Sequence, residues 1–261
     1  MNSFIIFFKK EIVELVKTVK GVVLAVIFLI IAISAPLITK LTPEILKMAG
    51  NDATQEEMNV LASVIPPSTS ATSYNQFFGN FNTIGLLALI IVFAGIVANE
   101  KSKNTAAYIL TKNISRTQFI LSKLISAAAF TFVSVIITAV VLKIYTDLLF
   151  SDNLVNFKYF VLFFALLLLY ILFILSIILF SSIVSKTVTS ATFIAFLIFI
   201  VFNILTSVPK IGKYMPPEIN NLGIMLQSTK IEDLTINIII TIVCSAAFIF
   251  SCIKLFNRQE L

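Results

Sequence analysis

Residues 83–98 read TIGLLALIIVFAGIVA, residues 99–123 read NEKSKNTAAYILTKNISRTQFILSK, and residues 124–142 read LISAAAFTFVSVIITAVVL. Two uncharged apolar runs flank a basic stretch. The runs are continuously apolar and lack the every-second-residue alternation of a barrel strand. A helix rises about 1.5 Å per residue, so runs of this length cross most of a ~30 Å hydrocarbon layer. Lipid offers the backbone no water, so each run must satisfy its own peptide groups as a helix. The fold class follows: an all-α integral membrane protein.

The rest of the chain repeats the pattern. Of 261 residues, 59% are hydrophobic and 12% charged, with a mean hydropathy of +1.03. A soluble domain is closer to half apolar and a quarter charged. Six runs reach membrane length, at about 21–39, 81–98, 124–142, 159–184, 191–208 and 234–253, and none holds Asp, Glu, Lys or Arg. They form a single transmembrane domain over 1–261. The chain has no His, and its two cysteines, Cys244 and Cys252, lie eight residues apart in the last run. Two helical turns, about 12 Å, separate them, which is too far for a disulfide. No zinc or redox site is expected.

An even number of spans puts both termini on one side. With the N-terminus inside, 12 of the 19 Lys and Arg but only 4 of the 13 acids face the cytoplasm. This is the positive-inside bias. The basic balance therefore reflects topology and anionic lipid, and no nucleic-acid partner is expected.

The N-terminal stretch 4–20, FIIFFKKEIVELVKTVK, is too charged to span. Ile12, Leu15, Val16 and Val19 recur at helical spacing, with Lys10, Glu14 and Lys17 on the polar side. An interfacial helix turning into the first span at Gly21 fits this pattern. The start has no cleavage site at a suitable position and does not read as a signal peptide. The loop 99–123 is longer than a bare connector needs to be. Within it, residues 105–110 form a short helix with Asn104 or Thr105 as N-cap, and Ser115 caps the next helix. Tyr108, Ile109 and Leu110 would expose apolar surface, either to a groove on another protein or to the membrane.

Glu100, Thr105, Leu110, Thr111, Lys112, Ser115, Arg116 and Lys123 together resemble the first cytoplasmic loop of ABC-2-type transporter permeases, the membrane subunits of bacterial ABC exporters. Asn104 stands where Gly is usual, and Asn113 where Pro is usual. Asn tolerates the left-handed and turn conformations that those residues serve. Phe8 to Ile12 followed by Lys20-Gly21 resembles the family's elbow helix. The resemblance implies that residues 104–112 form a coupling helix docked on an ATP-binding subunit. Its docking residues would be Asn104, Thr105, Ala106, Tyr108, Ile109, Leu110 and Lys112, with Glu100 and Arg116 as polar anchors. It further implies two ATPase subunits, a second permease chain, identical or homologous, and a location in the bacterial plasma membrane.

Residues 95–102, GIVANEKS, fall one residue short of a P-loop, with Glu100 in place of the second glycine. A carboxylate there would repel phosphate, and the stretch ends a membrane helix rather than following a strand. The chain is expected to bind no cofactor itself; ATP and Mg belong to the partner. Outer segments are expected at 40–80 and 209–232. The first would hold short helices at 43–48 and 55–64. In the second, 219–226 would either dip back into the membrane or lie in an exposed loop.

Two function classes remain open besides an intramembrane enzyme, for which no catalytic elbow or metal cluster exists. One is the permease of an ATP-driven exporter. The other is a gradient-driven transporter or non-transport scaffold, and spans without ionisable residues count against a gradient-driven transporter. Ser34, Ser134, Thr138, Ser176, Asn203 and Ser245 would bond between helices. Phe93, Phe196 and Asn203 are candidates to line a path for a hydrophobic or amphipathic substrate such as a drug, peptide or lipid-like molecule.

Overall fold

The structure, a computed structural model, describes residues 3–49, 67–111, 114–151, 155–209, 211–219 and 231–259. Among these residues all regular structure is helical. The elements are α1 (Ser3–Lys17), α2 (Val19–Ala49), α3 (Ser70–Asn80), a π-helical turn (Phe81–Gly85), α4 (Leu86–Phe93), α5 (Gly95–Ser102), α6 (Thr105–Leu110), α7 (Arg116–Leu149), α8 (Phe157–Val184), α9 (Val188–Thr206), a 3₁₀ turn (Gly212–Tyr214) and α10 (Ile231–Arg258). Six helical stretches are long and apolar enough to cross a membrane, with α3 to α5 running together as the second. The fold class read from the sequence is the one observed.

Several helices outrun their apolar cores. Expected to end near residue 39, α2 instead passes through Pro43 and on to Ala49. Proline has no N–H and so strands the carbonyl four residues back. That carbonyl belongs to Thr39, and the Ser68 hydroxyl donates to it at 2.6 Å. The helical piece expected at 43–48 is therefore the end of α2; the one at 55–64 lies outside the described residues. The second span starts at Ser70 rather than near 81. The Thr69 side chain accepts from the Thr72 N–H and caps it. Phe77, Phe78 and Phe81 then bury themselves, with Phe77 packing on Phe164 and Phe81 on Phe28. Most of the stretch 219–226 also lies outside the described residues.

Helix α8 is central and the most buried span; α9, α10 and α7 pack on it, while α2 and α1 pack on α7. The hydroxyls expected to bond between helices bond within their own helix instead, while Asn203 does both, bonding its own helix and Tyr170 of α8. Ser34, Ser134, Thr138, Ser176, Asn203 and Ser245 donate to the carbonyls of Ile31, Phe130, Ser134, Phe173, Phe199 and Thr241. A carbonyl three or four residues back is the nearest acceptor when no water is present.

Candidate functional site at the α6 end of the bundle

The ends of α1, α5, α7, α8 and α10 converge beside α6. At their centre lies Lys123, in the second turn of α7 and only 3% exposed. Its ammonium donates to Glu11 Oε2 at 3.0 Å and to Glu100 Oε1 at 2.9 Å. One lysine thus ties α1 to the end of the second span. Lys10 joins from the rim, 3.2 Å from Glu11 and 3.1 Å from Glu14. Burial opposes the charge on Lys10, but Glu11 and Glu14 outweigh it, and its pKa is raised. Glu100 Oε2 is buried without a hydrogen-bond partner. The Phe119 ring lies 5.2 Å from the Lys123 ammonium and stacks between Phe7 and Phe256, with centroids 5.6 and 5.4 Å away. Three helices are thereby clamped by aromatic and ionic contacts together.

A second set of contacts fastens the helix ends. Helix α10 leaves its last carbonyls without partners, as every helix does. Arg116 Nη1 donates to those of Phe256, Asn257 and Gln259, at 3.1, 3.0 and 2.6 Å. Lys101 Nζ donates to the Ile183 carbonyl near the end of α8 at 2.6 Å and to Gln259 Oε1 at 3.0 Å. The Ser182 hydroxyl accepts from the N–H groups of Val97 and Ala98, at 3.0 and 2.9 Å. Those N–H groups lie in the first turn of α5, just past the break after Phe93.

Helix α6 hangs from this frame. Asn104 enters it with φ 55° and ψ 14°, the only non-glycine residue of positive φ among those described. Asn104 holds the expected N-cap position, but neither it nor Thr105 caps the first turn with its side chain. Asn104 makes no capping bond, because a left-handed residue does not hold its side chain over the first turn. The Thr105 hydroxyl instead donates back to the Glu100 carbonyl at 3.2 Å. Ser115 does cap α7, in a reciprocal capping box with Gln118. On α6, Ala106 is buried, Ile109 and Leu110 pack on the core, and Tyr108 is 63% exposed. Lys112 lies outside the described residues.

The residues expected to line a path do not come together in the single chain. Phe93 is buried in the core, Phe196 is half-buried and Asn203 is exposed, the last two on α9. Sequence reading missed Glu11, Lys101, Ser182, Phe256 and Gln259, whose partners are distant in the chain. Lys123 was noted for its position, but nothing local signalled its two carboxylates.

Residues 5–212, most of the chain, match the family described as ABC-2 family transporter protein. The chain belongs to the ABC-2 transporter family. Among curated proteins, it is similar to the uncharacterized transmembrane protein YxlG of Bacillus subtilis (strain 168). The two are 28% identical over 123 residues, 47% of this chain and 46% of the relative. The aligned part thus spans about half of either protein, and YxlG's name states only that it is a transmembrane protein. In this ABC-2 protein, the frame around Lys123 and Arg116 ties the residues that flank the loop helix to α1, α5 and the end of α10.

Proposed function

We propose that this ABC-2 protein is the permease subunit of an ATP-driven exporter, with α6 as its coupling helix and α1 as its elbow. Two ATPase subunits would supply ATP and Mg, and a second permease chain would complete the path. A hydrophobic or amphipathic cargo suits spans without ionisable residues. The lysine and arginine distribution supports a cytoplasmic side for both termini and α6, and the family supports a bacterial plasma membrane.

The observation that carries this reading is the mounting of α6. A free loop helix of six residues is too short to be stable in water. Here it is anchored through Glu100 on Lys123 and through Arg116 on the end of α10. Force applied at Tyr108 would therefore pass into α1, α7 and α10. A coupling element needs such a rigid path, while a mere connector does not. The test is purification of the tagged chain in mild detergent, with mass spectrometry of whatever remains bound. A stoichiometric P-loop ATPase, lost in Tyr108→Asp, is expected. A Tyr108→Asp chain that keeps its ATPase and transports normally would remove α6 from the coupling role.

A further inference from the structure

On the body side of α6 lies a cavity of about 500 Å³, whose lining includes Lys101, Lys186, Ser102, Asn104 and Gln259. Two ammonium groups share it, and Lys186 is near enough to repel Lys101 electrostatically. Among the described residues neither lysine is ion-paired. Like charges held together in one pocket, with no carboxylate among its described lining residues, are a standing cost that an anion relieves. We propose that this pocket binds a phosphate oxyanion, supplied by the headgroup of an anionic lipid or by free phosphate. The inference requires only that the chain spans a membrane, and nothing of the ATPase.

The pocket is prepared for that ligand. An ammonium has three donors. Lys101 spends them on the Ile183 carbonyl and Gln259 Oε1, which leaves one and fixes the group in the wall. Gln259 is itself held, its Nε2 donating to the same Ile183 carbonyl at 3.1 Å. Lys186 is exposed in the short turn between α8 and α9 and is free to close over an anion.

Depth favours a lipid headgroup over a carboxylate of a soluble partner. The apolar run ends at Ala98, and Lys101 follows three residues later, about 4.5 Å along the helix axis. The headgroup layer is roughly 6 Å thick on each side of the hydrocarbon. Lys186 lies two residues past the end of α8. Both charges therefore fall at headgroup level, where basic pockets between spans take anionic heads. The pocket meets α6 at Ala106 and Ala107, and Tyr108 on the same helix is not among its lining residues.

The test uses the full chain, stripped of lipid in a neutral detergent. It is titrated separately with short-chain phosphatidylglycerol, with diacylglycerol of the same chains and with inorganic phosphate, and retained adducts are counted by native mass spectrometry. Phosphatidylglycerol is expected to bind well above diacylglycerol. Lys186→Gln should weaken it about fivefold, the scale of one lysine at an anionic surface. Lys101→Gln combined with Lys186→Gln should abolish the preference, and Lys158→Gln at the far end of the bundle should change nothing. Inorganic phosphate binding as tightly as the lipid would keep the site and assign it to soluble phosphate. Equal retention of phosphatidylglycerol and diacylglycerol would overturn the proposal. So would a Lys186→Gln chain that binds lipid as before but loses its ATPase, since the pocket would then belong to a partner protein's carboxylate. Lipid binding is read without any ATPase present, so its failure and that of the permease reading are separate results.

Discussion

Lys123 carries two carboxylates in a place with little water, and this makes its removal asymmetric. Taking the lysine away leaves buried Glu11 and half-buried Glu100 with only Lys10 on the rim to offset them. Breaking a buried pair by removing one partner costs about 3–5 kcal/mol, whereas removing all the charges together costs far less. Lys123→Met should therefore lower the detergent melting temperature sharply. The triple change Lys123→Met, Glu11→Gln, Glu100→Gln should recover much of the loss. Thermal unfolding of the purified variants checks this; a triple variant no better than the single one would mean that aromatic packing, not charge, holds the junction. Asn104 gives a second test at the same scale. A β-branched residue at φ 55° is strained by about 1–2 kcal/mol and glycine is not. Asn104→Val should speed proteolysis within 99–123, and Asn104→Gly should not. Sequence reading reached Asn104, because asparagine in place of glycine has a backbone explanation that is local. It did not reach Glu11: the apolar stripe Ile12, Leu15, Val16, Val19 suggested a different face, and the structure buries Phe7 and Glu11 while exposing Val16 and Val19. A charged residue on a buried face is unreadable until its partner, 112 residues later in Lys123, is known.

Helix ends behaved differently from helix interiors. The apolar runs marked where lipid must be crossed, but helices stop where backbone groups find other partners, and those partners are set by tertiary contacts. Ser68 on the Thr39 carbonyl and Ser182 on the Val97 and Ala98 N–H groups are such partners, and neither is visible from local spacing. Ser182→Ala should leave the Val97 N–H near the break after Phe93 without an acceptor and Ala98 with only its helical one, at about 1–3 kcal/mol for a buried unsatisfied group. Hydrogen exchange of α5 should accelerate in this variant while that of α8 stays slow; uniform acceleration would show a global effect instead. The corner between α1 and α2 has a steric origin. A Cβ on Gly21 would lie 2.0 Å from the Leu15 carbonyl oxygen, a backbone atom that cannot rotate aside. Gly21→Ala should therefore open the corner, detach Phe7 from Phe119, and lower the melting temperature by several degrees. The sequence reading puts the turn at Gly21; the structure breaks the chain at Thr18, with Gly21 in the first turn of α2, and the close approach to Leu15 explains why glycine is needed there.

For the molecule as a whole, hydropathy was enough to fix the class and the number of spans, because the bilayer imposes length and composition on each span separately. Which span faces which is set by side-chain fit, and there the sequence was silent about α8 at the centre and α9 at the margin. Only 11% of the apolar window of α9 is buried within the chain, against 61% for α8. Phe193, Leu197, Val201 and Ile204 form one exposed stripe along α9. Lipid alone can cover such a stripe, since apolar side chains gain nothing by leaving it. Asn203 is different. It is exposed on the same helix, and although its Nδ2 is bonded to the Phe199 carbonyl and its side chain to Tyr170, an exposed amide in hydrocarbon remains costly. A second permease chain, or a polar path beside one, would remove that cost. In a background with Cys244→Ser and Cys252→Ser, Val201→Cys is expected to cross-link in native membranes to a membrane protein of roughly its own size. Val140→Cys, on the exposed flank of α7, is expected to react only with probes carried in the lipid. If Val201→Cys also reacts only from the lipid, then α9 faces the bilayer, and the path through a pair of chains must be sought along another helix.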